Sequence, residues 1–326
     1  MPVVFARSPL RVTLAGGGTD LSSWYSRNGG YVVAAAIDRH VFMLVNTEHQ
    51  DRIRLKHMEW EECDSAERVE HPILREALLR SWNGKPLELA STSDVPPGTG
   101  LGSSGAYAVC ALGALALARG ERPHASELAE DACEIEIEVL GRTVGKQDQY
   151  ASAFGGIRAY GIAHDGAVGA EPLALDPGVA AALEDGLLLF YSGEQRSASD
   201  LLAAEAGGGE AVERSLARAV EIAHAVRDAL EAGDLEAFGA LMNEQWEAKL
   251  ARSPGMATAR MDELRGAALE AGAGGVMQMG AGGGGYLLSY ASDPARVREA
   301  MEAAGAPELR FRLDPDGFRG EAFDPG

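Results

Sequence analysis

The chain has 326 residues, enough for two moderate lobes, each with a core of its own. Its 46% apolar residues form no run near the roughly 18 needed to span a bilayer, so no membrane partner is expected. The net charge of −20, from 49 acidic and 29 basic residues, disfavours nucleic acid, which demands clustered cations, but leaves room for a small anion held by a few local ones.

In chain order, "YVVAAAIDRHVFMLVN" (31–46) reads as strand, turn, strand, and "RIRLKHM" (52–58) alternates as another strand. "HPILREALLRSW" (71–82) sets Ile73, Leu74, Ala77, Leu78 and Leu79 at helical spacing. "PLELASTSDV" returns to a strand that runs into the glycine-rich "PPGTGLGSSG" (96–105). "GAYAVCALGALALARG" (105–120) is an almost wholly apolar helix, which must be buried on most sides. "HASELAEDACEIEIEVLG" (124–141) is amphipathic, with Leu128, Ala132, Ile135 and Val139 on one stripe and Gly141 as its stop. Residues 161–185, rich in Ala, Gly and Asp, read as the seam, with the lobes divided as 1–175 and 176–326. Beyond it come a core strand in "GLLLFYSG" (186–193) and helical stretches near 197–231, 234–251 and 257–272. Then "GVMQMGAGGGGYLLSY" (275–290) reads as strand, glycine loop, strand, followed by the helix "PARVREAMEAAG" and a final strand in "ELRFRL" (308–313). Strand, helices, strand, strand, helix, strand suggests a ferredoxin-like α+β lobe.

The N-terminus has an early arginine and no long apolar core, so it does not read as a secretory leader, and a cytoplasmic protein is expected. Cys63, Cys110 and Cys133 are far apart and include no CxxC pair, which makes a disulfide framework or thiolate metal site unexpected.

Three glycine-rich stretches occur, "AGGGTD" (15–20), "PPGTGLGSSG" and "GAGGGG" (280–285). The middle one carries the clearest physics. Glycines let backbone N–H groups approach a polyphosphate, and the helix that follows aims its positive end at the same place. Ser103 and Ser104 stand at the helix start, where a hydroxyl can cap the helix or ligate Mg²⁺. The pattern GxxxxGK[ST] is absent, so this is not a Walker-type loop. Gly100, Gly102 and Gly105 do fit GxGxxG, but the acid that an NAD site wants after the next strand is replaced by Glu121, which directly follows a helix.

In "CEIEIEVLGRTVGKQDQYASAFGG" (133–156), Glu134 and Glu138 lie one turn apart with Asp131 and Arg142 as neighbours, which suits a solvated face. Glu136 falls at the margin of the apolar stripe, where a partly buried carboxylate wants a cation, either a surface salt bridge or a magnesium shared with Ser104. Asp148 stands between two glutamines, past a glycine turn and ahead of a strand-like segment. There it can take a proton from a substrate hydroxyl or orient that hydroxyl toward a γ-phosphate, or simply cap a turn.

Taken together, these motifs resemble the GHMP kinase superfamily, over nearly the whole chain from "SPLRVTLAGGGTD" to the last strands. The resemblance implies a two-lobed α+β fold, an N-terminal ribosomal-S5-like lobe and a C-terminal ferredoxin-like lobe, with the active site in the cleft between them. It implies transfer of the γ-phosphate of ATP with Mg²⁺. Pro97, Gly98, Thr99, Gly100, Leu101, Gly102, Ser103 and Ser104 would form the ATP phosphate loop. Ser104 and Glu136 match the Mg²⁺-binding pair, Asp148 the catalytic aspartate, and Arg11 the basic residue of the first motif, near the reacting groups. Gly17, Gly18, Thr19 and Asp20 match the substrate side, where Asp20 would grip sugar hydroxyls, and Gly282 and Gly283 belong to the third motif beside the substrate. Gly-Gly-Gly-Thr-Asp stands where galactokinases carry Gly-Glu-His-Thr-Asp, which argues against galactose. "RSPLRVTLAGGGTDL", "VGKQDQYASAFGG" and "FYSGEQRSAS" are most similar to heptose 7-phosphate kinases. The expected reaction is therefore phosphorylation of the anomeric hydroxyl of a heptose 7-phosphate. Another specificity (fucose, another sugar, or mevalonate) is the alternative, and a non-catalytic sugar sensor is the reading from a different class. Arg196 is the first candidate for meeting a 7-phosphate, and Lys249, with Arg252 behind it, the second. The only partner expected is the small sugar or sugar phosphate, with the chain a monomer or homodimer.

Overall fold

The computed structural model describes residues 3–48, 50–194, 209–252, 256–280 and 284–323. Two antiparallel-rich sheets organise the chain. The first is built on β1 (Val3–Ala15) and β2 (Gly30–Asn46), whose long apolar runs pair along their length. Together with β3 (Ile53–Lys56), β4 (Trp60–Cys63) and β5 (Leu87–Ser93) they run in the order β1-β2-β5-β3-β4.

Residues 31–46 are therefore one strand, not strand, turn, strand. The polar pair Asp38–Arg39, which suggested a turn, is absorbed as a bulge: Leu10 pairs with Ile37 and Pro9 with His40. The bend lets β2 change partners. Its second half pairs with β5, and its first half with β6 (Ile157–Ile162).

Helices α1 (Ser22–Asn28), α2 (Pro72–Ser81), α3 (Ser103–Ala118), α4 (Ala125–Cys133) and α5 (Gln147–Phe154) belong to this half. Helix α3 buries twelve of its residues, as its apolar composition demands. On α2 the stripe holds except at Leu79, which is exposed.

The stretch 124–141 departs from the expected single helix. After α4 the chain widens into a π-turn over Glu134–Val139, with the Leu140 N–H reaching five residues back to the Ile135 carbonyl. That extra residue rotates the stripe. Val139 is turned out to 51% exposure, and Glu136 is turned in to 1%.

Residues 161–185 are not a bare seam either. β7 (Val168–Pro172) hairpins onto β6 in the first sheet, and α6 (Pro177–Gly186) follows.

The second sheet has the order β11-β8-β10-β9, from β8 (Leu187–Tyr191), β9 (Gly275–Gln278), β10 (Tyr286–Tyr290) and β11 (Glu308–Leu309). All neighbours are antiparallel, which is the ferredoxin-like arrangement. Between β8 and β9 lie α7 (Glu210–Ala232), α8 (Leu235–Arg252) and α9 (Ala259–Glu270), and between β10 and β11 lies α10 (Pro294–Ala303). Alternation along β8 splits its side chains between two cores. Leu188 and Phe190 join Met261, Leu264 and Met301 under α9 and α10, while Leu187 and Leu189 join Phe238, Met242 and Trp246 of α8.

The segment 308–313 is strand only at its start. A further strand, β12 (Arg319–Phe323), pairs with β1, so the C-terminal end of the chain returns to the first sheet.

Candidate active site

β5 leaves the first sheet at Ser93, and residues 94–102 lead into α3, capped by Gly102. The first backbone bond of the helix runs from the Ala106 N–H to the Gly102 carbonyl at 3.1 Å, so the N–H groups of 102–105 have no acceptor within it. With the dipole's positive end they are suited to an anion, and Gly98, Gly100, Gly102, Ser103 and Ser104 line the cleft there. Pro97 is exposed at the loop's edge. Thr99 and Leu101 face inward: the Thr99 hydroxyl donates to the Pro96 carbonyl at 3.0 Å, and the Leu101 carbonyl accepts from the Arg11 N–H at 3.0 Å. The third glycine motif backs this loop at backbone contact. A Cβ on Gly100 would lie 2.8 Å from the Met279 carbonyl oxygen, and one on Gly280 would lie 2.6 Å from the Gly100 Cα. Gly282 and Gly283 lie outside the described residues.

Arg11 on β1 is 5% exposed. Its Nε and Nη2 both donate to Asp148 Oδ1, at 2.8 and 2.7 Å, and its Nη1 donates to the Gly100 carbonyl. The arginine thus ties the aspartate to the phosphate loop. Asp148 sits in the first turn of α5, not in a turn before a strand. Ser152 interrupts the apolar face of this helix, and its hydroxyl donates internally to the Pro9 carbonyl at 2.8 Å.

Beside Asp148 lies a buried polar network. The Ser104 hydroxyl donates to Glu136 Oε1, Arg142 Nη1 donates to Ser104 Oγ at 2.8 Å and to Glu136 Oε1 at 3.0 Å, and Gln149 Nε2 donates to Glu136 Oε2 at 2.8 Å. Burial pushes the Glu136 carboxyl up, against the pull of Ser104, Arg142 and Gln149. Arg142 therefore serves Glu136 and not the solvated face, where Glu134 pairs with Arg80. Among the described residues no three His, Cys, Asp or Glu converge as a metal centre. Magnesium does not need one, because it keeps waters and substrate phosphates in most of its six positions. A buried carboxylate touching a hydroxyl at the mouth of an anion site fits that requirement.

Across the cleft, the loop after β1 carries Gly17, Gly18, Thr19 and Asp20. Thr19 is wholly buried and braces the loop, donating to the Gly16 carbonyl at 2.8 Å and the Tyr31 carbonyl at 3.0 Å. Asp20 accepts from the Gly18 N–H at 3.1 Å and the Gln147 N–H at 3.2 Å. Burial, and next the charge of Asp148, hold its carboxyl above the ordinary range. Gly145 is where only glycine fits, since a Cβ there would stand 1.8 Å from Asp20 Oδ2.

α8 closes the far side. Lys249 Nζ donates to the Gly280 carbonyl, Arg252 Nη2 donates to the Gly17 carbonyl at 3.2 Å, and Gln245 Oε1 accepts from the Gly16 N–H at 2.8 Å. Arg196 lies outside the described residues. Sequence reasoning missed Gln147, whose Oε1 accepts from the Thr13 hydroxyl at 2.7 Å, as well as Gln245 and the role of Arg142. Only "GKQDQ" signalled any of these, by flanking Asp148 with two amides.

Comparison with known proteins fits this geometry. The profile "GHMP kinases N terminal domain" matches residues 70–156, and "GHMP kinases C terminal" matches 226–307. A mevalonate kinase of Pyrococcus horikoshii is 32% identical over 257 residues, spanning 74% of this chain and 71% of that protein. The chain belongs to the GHMP kinase family. Its fold is thus the two-lobed α+β GHMP kinase fold, and it is a phosphotransferase with an alcohol group as acceptor. This GHMP kinase is also 27% identical, over 93% of both chains, to a D-glycero-alpha-D-manno-heptose 7-phosphate kinase of Campylobacter jejuni. It superposes with a TM-score of 0.82 at 25% identity, over 98% of both chains, on a D-glycero-D-manno-heptose 1-phosphate kinase of Bacteroides thetaiotaomicron. Among the described residues no helix is long and apolar enough to cross a membrane.

Proposed function

We propose that this GHMP kinase transfers the γ-phosphate of ATP to the anomeric hydroxyl of a heptose 7-phosphate, giving the 1,7-bisphosphate. The observation that carries the reading is Asp148, held by Arg11 against the phosphate loop and facing the loop of Asp20. A carboxylate next to both a helix start suited to phosphates and a loop suited to hydroxyls supports an in-line transfer.

In the reaction we infer, the N–H groups at the start of α3 hold the phosphates, and Asp20 accepts hydrogen bonds from sugar hydroxyls. Asp148 takes the proton of the anomeric hydroxyl as that oxygen bonds to the γ-phosphorus, and the bond from phosphorus to the ADP oxygen breaks. Arg11 is set to stabilise negative charge developing at the phosphoryl group. Ser104 and Glu136 would hold a magnesium ion, whose contribution when bound is to offset phosphate charge. Catalysis is then mainly positioning and charge neutralisation.

Lys249 and Arg252 are the described cations that reach the substrate loops, through the Gly280 and Gly17 carbonyls. They are the proposed holders of the 7-phosphate, and the likeness to heptose phosphate kinases over nearly the full chain supports that assignment. Mevalonate, whose carboxylate could use the same two cations, is the second reading, favoured by the 32% identity to a mevalonate kinase. An ATP-consumption assay across heptose 7-phosphate, free heptose, fucose, galactose and mevalonate decides. Turnover highest on heptose 7-phosphate, with mass spectrometry finding a bisphosphate, is expected. Turnover on mevalonate alone would overturn the sugar reading.

A further inference from the structure

The cation beside Ser104 and Glu136 is Arg142. A single nitrogen, Nη1, donates to both oxygens, at 2.8 and 3.0 Å. Glu136 is 1% exposed, and a carboxylate so buried must keep a compensating charge or lose several kcal/mol. The arginine supplies that charge from a side chain that is itself 34% exposed. It follows the π-turn in a stretch, residues 141–145, that belongs to no helix or strand, so its side chain can swing toward water without breaking one. A guanidinium and a divalent cation on the same two oxygens compete for their lone pairs and repel each other, the more so in a buried site.

We propose that Arg142 is a built-in stand-in for the divalent cation. It holds Ser104 and Glu136 together in the nucleotide-free enzyme and withdraws only when the metal arrives with nucleotide phosphates. This rests on the reading that these two residues take the metal. The arrangement makes metal loading depend on nucleotide: phosphates repay the displacement of the arginine, and metal alone does not.

The test is a Mn²⁺ titration of the nucleotide-free enzyme, followed by the electron paramagnetic resonance of free Mn²⁺. Wild type should bind weakly. Arg142→Met and Arg142→Gln should each bind about tenfold tighter or more, a change of the size that one lost competing charge produces. Arg142→Lys, which keeps the charge, should stay near wild type, and circular dichroism should show all three folded. Adding Glu136→Gln to Arg142→Met should abolish the gain. If Arg142→Met and Arg142→Gln bind Mn²⁺ no tighter than wild type, while Glu136→Gln weakens Mn²⁺ binding in the presence of ATP, the role of Arg142 falls and the metal site stands. If Glu136→Gln leaves Mn²⁺ binding with ATP unchanged, the metal site itself falls, and the proposal with it.

Discussion

The two sides of the cleft are built differently. The proposed phosphate side is mainly a local object. The loop 94–102, the start of α3, the π-turn and the start of α5 all come from one stretch of about fifty residues, joined from afar by Arg11 and by the backing backbone of Met279 and Gly280. The acceptor side is a long-range object. The Gly16 N–H meets Gln245 across 229 positions, the Gly17 carbonyl meets Arg252 across 235, and Asp20 meets the Gln147 N–H across 127. A local site keeps its chemistry wherever the segment folds. A site assembled across two lobes can change ligand by small shifts of either, so one family can hold a single reaction and several substrates.

Asp148 is where the two sides meet, so its removal should have the largest effect. Asp148→Asn keeps the size and loses the proton acceptor. Turnover should fall by about 10³-fold, within the usual range for a general base, while ATP binding measured by calorimetry stays within a few-fold of wild type. Near-normal turnover would remove Asp148 from the chemistry.

The next effect separates the sides. Lys249→Ala and Arg252→Ala should each lower kcat/KM for heptose 7-phosphate by about 10–100-fold, the worth of one charge-assisted contact, with free heptose little changed. Equal losses on both sugars would mean that these cations brace the Gly17 and Gly280 loops and do not read a phosphate.

Legibility follows the same division. That residues 97–104, Glu136 and Asp148 lie together is legible in the sequence, because they stand at short spacing in one stretch. So is the ferredoxin-like order of the second sheet, because strand and helix alternation survives in a linear reading. What could not be read depends on contacts that no local pattern carries. The bulge at Asp38–Arg39 is backed by the distant Arg312, whose carbonyl accepts from the Asp38 N–H at 2.9 Å and whose own N–H donates to Asp38 Oδ1 at 2.8 Å. The β12 pairing joins the two ends of the chain. The amides of Gln147 and Gln245 matter only because of what folds against them.

A smaller effect concerns the pH dependence of the acceptor side. The fold raises the Asp20 pKa above its ordinary 3.8, chiefly by burial, so the folded chain binds that proton more tightly than the unfolded chain. The stability this lends is complete below the unfolded value and is lost as pH rises through the raised one. Asn does not titrate. The melting temperature of wild type minus that of Asp20→Asn should therefore fall as pH rises above about 4. A flat difference would mean that Asp20 is not held above its ordinary range.

The smallest effect, at Val139, tests the π-turn beside Glu136. Periodicity puts Ile135 and Val139 on one buried stripe, but the turn leaves Ile135 at 1% exposure and Val139 at 51%. With an ordinary α-helical turn, Val139→Ser would open a cavity and cost more than about 1 kcal/mol. With the π-turn it exchanges two half-exposed methyl groups for a hydroxyl and should cost less than about 0.5 kcal/mol. Ile135→Ser, in the same turn and with similar chemistry, should destabilise by about 2–4 kcal/mol by leaving a cavity and a buried hydroxyl. Urea titration of both variants gives the comparison. Equal losses would restore the regular helix and take Glu136 away from Ser104, whereas a clear difference means that the extra residue which exposes Val139 also buries the carboxylate.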